Sequence, residues 1–531
     1  MASRGIMICQ GEGIVNDRSW AFRCDHFRRQ SDEPMYVQVA ESIQRDIDSG
    51  RFQVGALLPG SRSMAVALGV SRTVVLMAYD QLESEGYLES RSGSGTYVSA
   101  RPASVSACET LVEERVDAPR DPRLSRLAQR AVLPALPEAE MPARDGEVVD
   151  LAQPRVKSDP RSLKAWKQNL MALLRRRHAP DFPELQGAID LRKAVAGYLS
   201  VERAIEVDPD DILIVSGAQQ ARDLIARVLL DEGDGVGVEE PCHWSVRHTY
   251  EAIGARIVPC QVGPHGMDID RHAAALEGVR LVNVAPSFQF PTGVVMPEER
   301  RRALLQWAYA HDVCLVEDDF DCEHRFGVRT SPSLWSLDRY GRVIHVSSFA
   351  RSMFPALQLG YMLVPRPLRE RFLAVKWLAD RGSISMQQHV LAACITSGQY
   401  LRDLRRIAHG LAPRHRALHA TLQARLGGAM AVTGSVAGGS LFVHLPRLPR
   451  SATGALIAEA MTRGVRIRSA ERFHRMPPDH VTLVLSYAGV SEASLKRAGT
   501  ALALAYLVVE KGVTRARLAK AERRRPDKIS G

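Results

Sequence analysis

Six short apolar runs in the C-terminal two-thirds of the chain constrain its fold most. They are Ile212 to Val215, Val236 to Val238, Ile257 to Val262, Leu281 to Val284, Val313 to Val316 and Val343 to Val346. Helical patterns lie between them, for example Gln219 to Leu230 and Pro297 to His311. Short buried strands alternating with helices predict an α/β domain with a mostly parallel sheet. After Leu368 the pattern turns helix-rich. Strand candidates then return at Ser440 to Leu445, Val465 to Ile467 and Val481 to Ser486, which predicts a smaller α+β subdomain. The last large-part strand runs into a loop of small and polar residues, Ser347, Ser348, Ala350 and Ser352. Pro355 blocks helix continuation, and Leu359-Gly360-Tyr361 opens another strand. Polar loops at strand ends are where open α/β sheets place ligands.

A chain of 531 residues exceeds one domain. Its N-terminal part follows a different plan. Tyr36, Val39, Ala40, Ile43 and Ile47 repeat at helical spacing. A second short helix begins at Ser61, with Met64, Ala65 and Leu68 inward, and Gly69 ends it. Ser71 is suited to cap a third helix, Arg72 to Glu85, that buries Val75, Ala78, Tyr79 and Leu82. A hairpin follows, Tyr87 to Arg91 and Thr96 to Val98 around Ser92-Gly93-Ser94-Gly95. Two short helices joined by Gly-Val-Ser, then a glycine-tipped hairpin, predict a winged helix-turn-helix. Arg72, Thr73 and Leu76 lie opposite the buried stripe, where a major groove would meet them. From Tyr36 to Val98 there are five Arg and seven acids, so this module is not net basic. Its charges segregate, however: Arg62, Arg72 and Arg91 belong to the helix starts and the wing. A small helical module for protein contacts is the alternative reading.

The remaining bounds are broad. A net charge of +10 suits a polyanionic partner. No apolar run reaches the roughly 18 residues a membrane span needs. Residues 1–30 lack the apolar core of a signal peptide, so a cytoplasmic protein is expected. Eight cysteines without a CxxC pair predict reduced thiols and no metal centre. The expected organisation is an irregular extension over 1–32, a winged helix over 33–100, a proline-rich linker over 101–147 and a large domain over 148–510. The large domain divides near 365, and a basic tail fills 511–531.

The run LLPGSRSMAVALGVSRTVVLMAYDQLESEGYLESRSGSGTYV resembles the GntR-type DNA-binding domain over its whole length. PELQGAIDLRKAVAGYL, ILIVSGAQQARDLIARVLLDEGD, APSFQFPTG and VEDDFDCEHRF resemble fold-type I aminotransferases, in the same order. Together they resemble the MocR subgroup of GntR-type transcription regulators. The resemblance implies operator DNA contacts at Arg62, Ser71, Arg72, Thr73, Ser92 and Gly93, and a head-to-tail homodimer. It also implies a cofactor pocket at Ala218, Gln219, His243, Gln289, Asp318, Phe320, Ser348, Arg351 and Gln358. In the family SGAQQ turns into a helix whose N-terminal amides hold the phosphate of pyridoxal phosphate, and the Asp matching Asp318 pairs with its pyridine nitrogen. Here the Schiff-base Lys is replaced by Arg351 and the phosphate Arg by Gln358. Two Tyr are replaced by Phe320 and His243, a His by Phe288, and the substrate-carboxylate Arg by Val484. A guanidinium stays charged and cannot form the imine. The expectation is therefore a DNA-binding regulator with a catalytically silent domain and no covalent cofactor. Arg351 and His243 would favour a small anionic effector, unless Arg351 pairs with Asp318 and closes the site. The alternative is a pyridoxal phosphate enzyme with a fused regulatory domain.

Overall fold

The computed structural model describes residues 33–91, 93–99, 123–131, 148–153, 160–175, 183–319, 331–350, 353–434 and 438–522. The chain divides into two compact units, Met1–Pro122 and Arg123–Gly531.

In the first unit, α1 (Met35–Asp48), α2 (Ser61–Leu68) and α3 (Arg72–Ser84) precede an antiparallel hairpin of β1 (Leu88–Arg91) and β2 (Gly95–Val98). The buried set is the predicted one: Val39, Ala40, Ile43, Met64, Ala65, Leu68, Val75, Ala78, Tyr79 and Leu82 close one core. Gly69 takes a left-handed conformation (φ 64°) that ends α2 and turns the chain into α3. The two helices meet at 114°, within the range of helix-turn-helix motifs. Gly60, at the N-cap of α2, offers no side-chain bond, whereas the Ser71 hydroxyl accepts from Val74 N–H at 3.3 Å and caps α3.

The second unit opens with α4 (Arg126–Arg130), inside the stretch read as a proline-rich linker. Ser125 Oγ caps the turn by accepting from Ala128 N–H at 3.1 Å. Then come β3 (Val149–Asp150), α5 (Pro160–Leu174), α6 (Ile189–Arg203), β4 (Ile212–Val215), α7 (Gly217–Leu229), β5 (Gly235–Glu240), α8 (Trp244–Ala252), β6 (Arg256–Gly263) and β7 (Gly266–Met267). They are followed by α9 (Ile269–His272), β8 (Val279–Val284), α10 (Glu298–Ala310), β9 (Cys314–Asp318), α11 (Leu334–Leu337), β10 (Val343–Ser348) and β11 (Gly360–Leu363). The sheet order is β4-β11-β10-β9-β8-β5-β6-β7. Its centre, from β10 to β6, is parallel, and β11 and β7 run antiparallel to their neighbours. All six predicted strands are present. Apolar clusters on the sheet's flanks bury them: one joins α7 and α8 to Val236, Leu281 and Val346, and another joins α10 to Val282 and Leu315.

The smaller part contains α12 (Arg366–Asp380), α13 (Ser385–Thr396), α14 (Gln399–Leu426), β12 (Ala431–Thr433), β13 (Ser440–Pro449), α15 (Thr453–Thr462), β14 (Val465–Arg466), β15 (Arg468–Ser469), β16 (His480–Ser486) and α16 (Glu492–Glu522). A four-stranded sheet, β12-β13-β16-β15, packs its inner face on α14 and α16. The predicted boundary at 510 falls inside a continuous helix, since α16 runs on to Glu522. Gly438, at the entry to β13, is held at φ 71°, and a Cβ there would meet Phe288 Cζ at 2.1 Å. The chain therefore enters β13 through a position that only glycine fits.

Candidate functional site

The winged helix leaves its predicted contacts exposed wherever they are described. Arg62, Ser71, Arg72, Thr73 and Gly93 are all exposed, and Ser92 lies outside the described residues. Arg72 Nε donates to Ser61 Oγ at 3.2 Å, so the N-terminal ends of α2 and α3 sit together. Gly93 has φ 76°, a left-handed turn that lets the wing tip approach another backbone. Arg91 lies over the Tyr97 ring at 4.8 Å, which orients one wing cation. Leu76 and Met77 are exposed on α3 beside these cations. Apolar side chains there suit thymine methyl groups.

In the second unit a cavity of about 110 Å³ opens where β5, β8, β9 and β10 end. Ala218 and Arg222 of α7, the α8 cap His243 and Val246 of α8, Glu239, Asn283, Asp318, Ser348, Phe288 and Phe290 are among its walls. Of the predicted pocket residues, Ala218, His243, Asp318 and Ser348 line it. Gln219 lies just behind, donating to Thr249 Oγ1 at 2.7 Å. Gln289 is buried and its amide is already taken up by neighbouring groups: it donates to Pro241 O at 2.7 Å and accepts from Thr292 N–H at 3.2 Å. Gln358 is exposed, in a left-handed conformation (φ 49°). Phe320 and Arg351 lie outside the described residues.

Arg222 was not anticipated. Its Nη1 donates to Asp318 Oδ2 at 2.9 Å, and both side chains are only 10% exposed. Its Nη2 reaches Ser245 Oγ at 3.3 Å and Gln219 Oε1 at 3.4 Å. Asp318 therefore already faces a cation, supplied by α7. Glu239 was also missed. It accepts from Ala285 N–H at 3.0 Å and from Gln289 Nε2 at 3.4 Å. Burial pushes its carboxyl up to about 8, so it is protonated at neutral pH and can donate into the cavity. The nearby Asp318 charge adds to the burial term. A raised folded value means that folding takes up a proton between the unfolded carboxyl value, about 4.3, and about 8, so this contribution is full below about 4.3 and is gone once pH reaches about 8. Glu239→Gln should therefore gain in melting temperature on the wild type as pH rises from about 5 to about 8, with little further gain above that. Melting curves across that range that stay parallel would refute the assignment.

His243 caps α8: its Nδ1 lies 2.8 Å from Ser245 Oγ and accepts from Ser245 N–H at 3.3 Å. Its ring lies 5.7 Å from Phe290 and 6.1 Å from Phe473. Val484 belongs to the same apolar wall, with Phe442, Ala470 and Phe473. Burial pushes the Cys242 thiol up to about 12, which leaves it inert. Among the described residues no group of His, Cys, Asp and Glu is arranged to hold a metal ion, and no single helix is long and apolar enough to cross a membrane.

The two units define a class of protein: a winged-helix DNA-binding domain fused to a fold-type I aminotransferase domain. Residues 35–98 match the family described as bacterial regulatory proteins, gntR family, and residues 147–502 match aminotransferase class I and II. A probable rhizopine catabolism regulatory protein, MocR of Rhizobium meliloti, is 32% identical over 485 residues, 91% of this chain and 96% of that protein. The regulator TauR of Rhodobacter capsulatus is 31% identical over 68% of this chain and 74% of its own length. The pyridoxine biosynthesis regulator PdxR of Corynebacterium glutamicum is 29% identical over 70% and 75%. Among solved structures, the α-aminoadipate aminotransferase LysN of Thermus thermophilus superposes with a TM-score of 0.64 at 24% identity, covering 73% of this chain and 97% of that one. That likeness concerns the fold alone. The chain belongs to the MocR-type GntR family of transcription regulators.

Proposed function

We propose that this regulator binds operator DNA through the α2–α3 face and the wing, and that its C-terminal domain senses a small molecule without covalent chemistry. The observation that carries the second part is the Arg222–Asp318 pair at 2.9 Å. Pyridoxal phosphate, when bound in this fold, supplies an electron sink that depends on a carboxylate at the pyridine nitrogen. Here a guanidinium stands against that carboxylate, so the residues do not fit the cofactor. The sequence adds that no lysine stands at position 351.

What remains suits a small ligand held by hydrogen bonds. The protonated Glu239 and Asn283 offer donors, Ser348 and His243 offer further polar atoms, and Phe288 and Phe290 offer apolar wall. Among the described walls the charge of Arg222 is matched by Asp318. A preference for an anionic effector therefore rests on Arg351 and His243. The ligand would act by binding DNA-competent and incompetent arrangements of a homodimer unequally.

Absorbance with added pyridoxal phosphate, before and after borohydride, tests this reading. The native chain should show no visible band. Arg351→Lys alone should show none either, because Arg222 still faces Asp318. Arg351→Lys combined with Arg222→Leu should gain one. A native band that borohydride fixes to the protein would overturn the reading.

A further inference from the structure

Residues 123–131 are the described part of the stretch between the winged helix and β3. They are docked. Arg126 Nη1 reaches both Glu232 carboxylate oxygens at 3.2 Å, and Arg130 Nη2 bonds the same carboxylate. Two cations on one carboxylate hold Glu232 below its usual range, through hydrogen bonds from Arg130 and then Arg126.

The seat is shaped as well as charged. Gly254 has φ 93°, and a Cβ there would stand 2.3 Å from Arg130 Nη1 and 2.9 Å from Glu232 Cγ. The Arg130 guanidinium therefore lies against bare backbone. Gly233 N–H donates to Gly254 O at 3.0 Å and joins the two turns that form the seat.

Those turns follow α7 and α8. The opposite ends of both helices wall the cavity, at Ala218, Arg222, His243 and Val246. Helix α7 spans Gly217–Leu229, about 20 Å at 1.5 Å per residue. The same two rods thus connect the cavity with the docked linker.

We propose that residues 123–131 form a latch that docks the interdomain tether onto the α7 and α8 ends and sets its working length. The proposal stands whether or not the cavity senses a ligand. From Val98 to Val149 the chain reaches at most about 175 Å, and from Val98 to Arg126 about 95 Å, at about 3.4 Å per residue. Docking therefore removes nearly half of the reach available to the DNA-binding domain. The bonds are exposed ion pairs, individually weak and screened by salt. Such a contact is strong enough to bias the tether and weak enough to release it.

Hydrogen exchange of the full chain, read by mass spectrometry on peptides covering 123–131, tests the latch. Glu232→Ala changes a side chain that is 46% exposed, so the domain should keep its fold. Its α4 amides should exchange about five- to tenfold faster than wild type at low salt, as expected for two lost surface pairs. Wild-type exchange should approach the variant's at high salt. The charge swap Arg126→Glu, Arg130→Glu and Glu232→Lys should regain protection. Equal exchange in Glu232→Ala and wild type, or protection indifferent to salt, would overturn the proposal.

Discussion

His345→Ala should cost the C-terminal domain about 3–5 kcal/mol, the usual loss when one partner of a buried charged network is removed. His345, Glu317 and Asp319 are almost wholly inaccessible. His345 Nδ1 lies 3.0 Å from Glu317 Oε2, and its Nε2 lies 3.6 Å from Asp319 Oδ2. Arg203 of α6 binds Asp319 at 2.7 Å. Glu317 also accepts from Leu334 N–H at 2.8 Å and Trp335 N–H at 3.1 Å, which ties α11 to the sheet. Burial alone would raise the Glu317 carboxyl, but the hydrogen bond and charge of His345 outweigh it and hold the group below its ordinary value. A depressed folded value adds stability above the unfolded one, about 4.3, and that stability is lost as pH falls through the folded value. In His345→Ala the buried Glu317 loses its counter-charge and takes up a proton more easily. The deficit should then be largest near neutral pH and shrink in acid. Denaturant unfolding followed by tryptophan fluorescence reads it, since five of the six Trp lie beyond residue 160. Adding Glu317→Gln should recover part of the loss, because the stranded charge is gone. A loss below about 1 kcal/mol, or one that does not change with pH, would mean the network contributes little.

This network and the cavity sit on opposite faces of one strand. Successive residues of β9 point to alternate sides, so Glu317 turns toward α11 and Asp318 toward α7. The strand itself was legible, since a run such as Val313 to Val316 between helical patterns has few other fates. The roles of its charged end were only partly so. Asp318 came from the resemblance, but its partner did not. Arg222 sits four residues after Ala218 and three before Ile225, on the inward stripe of α7. That spacing was available, and a buried-face arginine is the signal that could have found it. Glu239 could have been suspected in the same way, as a charge ending the wholly buried run Gly235–Glu240. The latch had less to announce it. Five helical residues are too few for periodicity, and Glu232 is a hundred residues from the arginines that bind it. The winged helix was the most legible part, because its fold depends on local caps and turns that each leave a residue signature.

Arg72→Ala should weaken operator binding by about 1–3 kcal/mol per half-site, roughly 5- to 150-fold. Arg72 begins α3, directly after the Ser71 cap, and its side chain is exposed. Its Nε donates to the Ser61 hydroxyl at 3.2 Å in a surface bond, so its removal should move winged-helix stability by less than about 0.5 kcal/mol. In a dimer on two half-sites the loss counts twice. The operator can be selected from random-sequence DNA by the purified protein, and affinity measured over a range of salt. If Arg72 reads a base, the variant should lose discrimination at one position of each half-site and keep its salt slope. If it holds a phosphate, affinity should fall on all sequences and the slope should drop by about one. Arg62→Ala, at the start of α2, should behave in the second way, since a first helix crosses the backbone rather than entering the groove. An Arg72→Ala protein that binds the selected DNA as tightly as wild type would remove the α3 N-terminus from the interface and shift attention to the wing.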